Sequence, residues 1–157
     1  MLKKRFFFFI ITSLFAVSMM AANKAFTLVI DPGHGGKDTG ASGAFSKEKD
    51  INLTVALAFG KYVERNCPEV KVIYTRKTDV FISLIERANI ANRNKADLFI
   101  SVHTNALPAG RIVRGFETYT LGMHRASDNL DVAKRENSVI LVEKDYKQTY
   151  QGFDPRS

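Results

Sequence analysis

Two histidines and one acid, His34, His103 and Glu48, are the side chains in this 157-residue chain best suited to chemistry. Two neutral imidazoles and a carboxylate form a standard ligand set for a hydrolytic zinc ion, leaving a fourth position for water. A single carboxylate keeps the ion net positive, which lowers the pKa of that water. Spacing alone leaves the matter open. The chain has no His-Glu-x-x-His and no cysteine pair. His34 can equally be a turn residue, His103 a polar residue at a strand end, and Glu48 an acid favoured by a helix N-terminus. His124, within the polar residues 123–129, reads as a solvent-facing loop histidine.

The elements that must bring these residues together follow from pattern. Phe26-Thr27-Leu28-Val29-Ile30 reads as a buried strand closed by Asp31-Pro32-Gly33. Residues 34–46 hold four glycines, at 35, 36, 40 and 43, and form a long loop. The loop lacks the hydroxyl and glycine spacing of a phosphate cradle. A helix capped by Asp50 runs to about Arg65, with Ile51, Val55, Phe59, Tyr62 and Val63 as its apolar stripe, widened by Leu53, Ala56 and Leu57. A second strand covers residues 70–75 and a second helix residues 82–94, with Leu84, Ile85, Ala88 and Ala91 facing the core. Residues 98–102 are the most strand-like run, another strand is expected at 115–121, and a third helix at 128–142. This order predicts an α/β fold of three layers. A central, largely parallel, twisted sheet is flanked by helices and incomplete at its C-terminal end. His34 and His103 each follow a strand, where such sheets gather their chemistry.

Composition narrows the setting. Lys3, Lys4 and Arg5 precede an apolar run that ends at Ala21-Ala22, the three parts of a secretory leader covering residues 1–22. The alternative is a permanent N-terminal anchor, but the run is short of the roughly 20 residues that span a bilayer. Export, to a periplasm or the exterior, is therefore expected, with no stable membrane anchor after cleavage. Without the leader's three basic residues the formal charge falls from +7 to about +4. That is too mild and too scattered for a nucleic-acid partner. Cys67 is alone, which excludes an internal disulfide and a thiolate metal cluster, and reads as an inert thiol.

Four blocks then carry a resemblance. Leu28-Val29-Ile30-Asp31-Pro32-Gly33-His34-Gly35-Gly36-Lys37-Asp38 resembles the opening signature of the zinc-dependent N-acetylmuramoyl-L-alanine amidases. Lys47-Glu48-Lys49-Asp50-Ile51-Asn52-Leu53 is similar to the family's second block, which carries its glutamate ligand. Thr75-Arg76, Asp79-Val80-Phe81, Leu84 and Arg87 resemble its linking block. Ala96-Asp97-Leu98-Phe99-Ile100-Ser101-Val102-His103-Thr104-Asn105 resembles the block with the second histidine. The resemblance implies Zn2+ held by His34, Glu48 and His103 in a catalytic domain over residues 23–157. It implies hydrolysis of the amide between the muramic acid lactyl group and L-alanine in peptidoglycan, with that polymer, and a regulatory or cell-wall protein, as partners.

The same resemblance predicts a gap. The family's second glutamate, which moves the proton, lies on a later strand, and no segment up to Ser157 matches it. Glu117 and Glu143 are the stand-ins weighed, the first as a strand carboxylate and the second as a solvated helix end. A truncated domain with weak hydrolysis is therefore expected, with the apolar side of the helix near Ile140 left bare. Rival readings are a non-catalytic peptidoglycan-binding fragment and another zinc-dependent cell-wall peptidase or deacetylase. Supporting roles fall to Asp31 as a partner of a ligand or its loop, to Gly33, Gly35 and Gly36 as turn-formers, to Asn105 for substrate or loop, and to Arg87 as an ion-pair residue.

Overall fold

The computed structural model describes residues 25–104, 114–120 and 126–153. The expected leader, His124 and Asn105 lie outside them. Three strands form one parallel sheet: β1 (Phe26–Pro32), β2 (Val70–Tyr74) and β3 (Leu98–Val102), in the order β2-β1-β3. Ile30 stands opposite Tyr74 on one side and Ile100 on the other. As the middle strand, β1 has both faces covered, so Thr27 to Pro32 are buried without alternation. The chain leaves β1 for β2 on one side and later returns to β3 on the other. That reversal at the carboxyl end of β1 is where open α/β sheets form their crevice.

Helix α1 (Glu48–Asn66) lies on the face formed by Leu28, Ile30, Val72, Tyr74, Ile100 and Val102. Its buried stripe is only partly the one that apolar spacing predicts, with Ala56, Phe59 and Val63 inward as expected. Val55 and Tyr62 are exposed, and the fully inward positions are Glu48, Asn52, Ala56 and Gly60, one turn apart, flanked by Phe59 and Val63. Small residues let the helix approach the sheet closely, and the polar pair enters because its work is at the sheet's end. A Cβ on Gly60 would lie 1.7 Å from the Tyr74 hydroxyl. Asp50 is not the cap. Lys47 is, without a side-chain bond, and Asp50 sits in the first turn where its charge suits the helix dipole.

Helix α2 (Leu84–Arg93) starts two residues later than expected because the Ser83 hydroxyl accepts from the Glu86 amide at 3.3 Å. It buries Arg87 and Ala91, whereas Ile85 is exposed. Arg87 reaches Asp31, on the sheet face opposite Ile30, so α1 and α2 enclose the sheet as two outer layers.

The C-terminal part departs further from expectation. Among the described residues, 115–120 pair with no strand, and Phe116 is almost wholly exposed. β-propensity is realised only against a neighbour, and among the described residues β3 has β1 alone beside it. The expected third helix is two pieces, α3 (Ala126–Asn137) and a 3₁₀ turn (Ser138–Val142), followed by the short α4 (Tyr146–Thr149). The Ser138 hydroxyl bonds the Arg135 carbonyl at 2.6 Å, and the β-branched Val139 and Ile140 follow, both unfavourable to a continuing helix. Ile140 is 2% exposed rather than bare. Glu143 is no solvated helix end. It is buried, accepting from the Leu84 amide at 3.0 Å and the Tyr150 hydroxyl at 3.0 Å, so it caps α2 from a distance. Among the described residues, no helix is long and apolar enough to cross a membrane.

Helix propensity alone makes Gly60→Ala stabilising by up to about 1 kcal/mol, whereas the clash with Tyr74 makes it destabilising by about 1–3 kcal/mol. Urea unfolding is expected to show the loss.

Candidate metal centre

The site is built on the carbonyls that follow β1. Arg76 and Arg87, both buried, donate to three in succession. The Pro32 oxygen accepts from Arg76 Nε and Arg87 Nη1, each at 2.9 Å. The Gly33 oxygen accepts from Arg76 Nη2 at 2.9 Å and the His34 oxygen from Arg87 Nη2 at 2.8 Å. Arg87 also pairs with Asp31 at 2.6 Å, as its expected ion-pair role requires. Asp31 touches neither histidine; its carboxylate accepts from Thr75, Arg87 and Ser101. The loop so fixed holds His34 at φ 61°, in the left-handed region.

Asp31 braces the His34 loop through Arg87, while His34 Nδ1 bonds Asp38 Oδ2 at 2.8 Å, so Asp38 orients the ring. This turns Nε2 inward, where it is buried without a hydrogen-bond partner. Glu48, at the first position of α1, points its carboxylate to the same place: Oε2 accepts from the Ala41 amide and Oε1 from the Thr104 amide, both at 2.9 Å. His103, one residue beyond β3, presents Nδ1. Its ring lies so close to Gly33 that a Cβ there would stand 2.4 Å from ring atoms. The two rings meet edge-on with centroids 4.8 Å apart.

A fourth residue joins these three. Glu136, near the end of α3, brings Oε2 to 3.3 Å from His34 Nε2 and 2.9 Å from His103 Nδ1. His34 Nε2 is also 3.3 Å from Glu48 Oε2, and His103 Nδ1 is 3.2 Å from Glu48 Oε1. Donor atoms of all four residues lie within 4.8 Å of one another. Four ligands about 2.0–2.1 Å from a tetrahedral zinc stand roughly 3.3 Å apart. The donor set and its spacing fit a divalent ion.

Sequence reading missed Glu136 because α3 is separated from the other ligands by the whole fold. One signal was available. An acid in the last turn of a helix opposes the helix dipole, and Glu136 sits there beside Lys134 and Arg135. The stand-ins lie elsewhere, Glu117 exposed and bonded to Tyr119, and Glu143 on the end of α2.

Electrostatics mark the cluster as a place for positive charge. Burial opposes charge on His34, but the carboxylates of Asp38, Glu136 and Glu48 around its ring outweigh it and raise the pKa to about 11. Burial likewise opposes charge on His103, yet Glu136 and Glu48 lift it to about 9. Burial raises the pKa values of Glu48 and Glu136, but the two imidazoles pull both well below the usual carboxylate range. Without a metal, protons on the imidazoles balance the acids.

Comparison with known proteins supplies the family. The sequence profile of the N-acetylmuramoyl-L-alanine amidase family (Amidase_3) matches residues 28–156. The chain belongs to that amidase family. A probable N-acetylmuramoyl-L-alanine amidase of Haemophilus influenzae, AmiB, is 35% identical over 133 residues, covering 82% of this chain and 29% of that protein. The endolysin of Bacillus phage SPP1 is 52% identical over 90 residues, 57% of this chain and 32% of its own length. An N-acetylmuramoyl-L-alanine amidase from Clostridium difficile 630 superposes with a TM-score of 0.56 at 32% identity, covering 77% of this chain and 64% of that one. This amidase chain thus spans about a third of the length of these curated relatives.

Metal must displace the imidazole protons, so affinity is expected to rise with pH up to about 9 and beyond, and binding at pH 7 to release about two protons. Calorimetry in buffers of differing ionisation enthalpy checks the count. In the metal-free protein, the raised histidine pKa values contribute stability that is complete below pH 6.5. Thermal melts are expected to show it lost as pH climbs through about 9 to 11.

Proposed function

We propose that this chain is the metal-binding catalytic unit of a zinc-dependent N-acetylmuramoyl-L-alanine amidase. It hydrolyses the amide joining the muramic acid lactyl group to L-alanine in peptidoglycan, outside the cytoplasm, where the expected leader would deliver it. The observation that carries this reading is His34 Nε2, buried and unsatisfied among Glu48, His103 and Glu136 in a chain of the amidase family. A set of two imidazole nitrogens and two carboxylates suits zinc better than the harder cations, which take six or more oxygens. Once bound, the ion would supply a water of lowered pKa and polarise the scissile carbonyl.

The residues do the rest. His34, Glu48 and His103 would hold the ion, and Asp38 keeps the His34 ring turned to present Nε2. Glu136 stands where a water would have to sit, because a four-donor protein set is closed and a hydrolytic one is open. Hydrolysis therefore requires the Glu136 side chain to withdraw. Neither Glu117 nor Glu143 is placed to take the water's proton, since each is engaged elsewhere. Slow hydrolysis by the chain as it stands follows from both facts. The closed set also favours a second reading, a module that binds peptidoglycan without cutting it.

The test is zinc content together with release, from purified sacculi, of peptides bearing a new alanine amino terminus. His34→Ala is expected to abolish both. Glu136→Ala is expected to weaken zinc binding and to raise the rate of release. A fall of about 10²–10⁴-fold instead would identify Glu136 as the proton-transfer group. Retention on sacculi with no peptide released by either protein would establish the binding module, and loss of sugar acetyl groups a deacetylase.

A further inference from the structure

Asn52 is wholly buried, and its hydrogen-bond partners Gly33, Glu48 and Thr104 all border the cluster. It lies one turn after Glu48 on the inward stripe of α1. Its Oδ1 accepts from the Thr104 hydroxyl at 2.8 Å, which fixes the amide with its NH₂ end towards the Gly33 carbonyl and Glu48 Oε1, each at 3.4 Å. Thr104 therefore acts on Glu48 twice, directly through its amide and indirectly through Asn52.

A carboxylate offers about four acceptor positions on its two oxygens. On Glu48, the Ala41 amide takes one on Oε2, and the Thr104 amide and Asn52 take two on Oε1. One position is left, on Oε2, which is the oxygen 3.3 Å from His34 Nε2. His103 Nδ1 also approaches Oε1, at 3.2 Å, but that hydrogen bond ends when the nitrogen gives up its proton to become a metal donor. In the metal-bound protein, Oε1 is then held back by Thr104 and Asn52 alone.

We propose that Asn52 is a positioning residue that restricts Glu48 to one-oxygen metal ligation, with Thr104 as its brace. This rests on the cluster being a metal centre. The consequence is a low coordination number. If Oε1 were released it would swing to the metal, making Glu48 a two-oxygen ligand and filling a position that a four-coordinate centre keeps clear. Simple core filling would be met as well by an apolar side chain of the same size, and that difference makes the proposal testable.

Cobalt(II) in place of zinc reports coordination number through its visible absorption, intense for four ligands and weak for five or six. The wild-type protein is expected to give the intense spectrum. Asn52→Leu is expected to lower the visible absorption several-fold and to raise the zinc Kd by about 10–100-fold, the usual cost of losing an outer hydrogen bond to a metal ligand. Thr104→Val keeps the amide bond to Glu48 and removes only the brace, so it is expected to shift both readouts the same way by a smaller factor. It also covers the case in which Asn52→Leu fails to fold. Ala56→Gly, one turn further along the same buried stripe, destabilises without touching Glu48 and is expected to leave the spectrum unchanged. Wild-type spectra from Asn52→Leu, or from Thr104→Val if that alone folds, would overturn the proposal, as would an equal change in Ala56→Gly. Failure of the wild-type protein to bind cobalt or zinc would remove the metal centre itself, and this role with it.

Discussion

Two buried guanidiniums at the end of β1 are the constraint on which the site depends. Strand residues are held by their ladder, but the ladder stops at Pro32, and His34 has to be rigid two residues later. Arg76 and Arg87 take over there, binding the carbonyls of residues 32, 33 and 34 as a ladder would. Arg76 also bonds the Lys49 carbonyl on α1, and Arg87 stands on α2, so both outer layers are referenced to one short peptide. Such an arrangement tolerates little change. Removing one member of a buried ion pair such as Asp31–Arg87 costs roughly 3–5 kcal/mol, because the survivor is left buried and unpaired.

Around that anchor the charges are deliberately unequal. Asp38, Glu48 and Glu136 face two imidazoles, and the resulting demand for a cation lifts both histidines far above neutrality. The same imbalance explains why α3, which has its acid at an intrinsically unfavourable end, is drawn over the site. Positive charge on the imidazoles, or on an ion that replaces their protons, gives Glu136 the partner that its own helix denies it. The segment beyond it is tied down separately, by Lys37 to the Val142 carbonyl at 2.6 Å and by Glu143 to the start of α2.

Legibility in the sequence followed the range of the interactions. β1 was readable because a central parallel strand is a continuous apolar run, and His34 and His103 because each trails a strand. The α1 stripe is legible only in part, since apolar spacing identifies Ala56, Phe59 and Val63 correctly but adds the exposed Val55 and Tyr62. The real inward face is set by close approach at Ala56 and Gly60 and by the polar duties of Glu48 and Asn52. Asp31 supports the His34 loop through Arg87, but the acid on the His34 ring is Asp38, since a loop's fold decides which acid curls back. Residues 115–120 have a strand's composition without a strand's neighbour, and Glu136 and Glu143 act only through contacts made across the fold. Local pattern cannot encode such distant meetings.

The backbone at His34 deserves a last reckoning. An ordinary side chain in the left-handed region costs roughly 1–2 kcal/mol, which glycine would avoid entirely. Folding by itself therefore disfavours an imidazole at this position. The molecule accepts a standing thermodynamic handicap at the one turn where a ring nitrogen has to reach inward, an expense that belongs to chemistry and not to architecture.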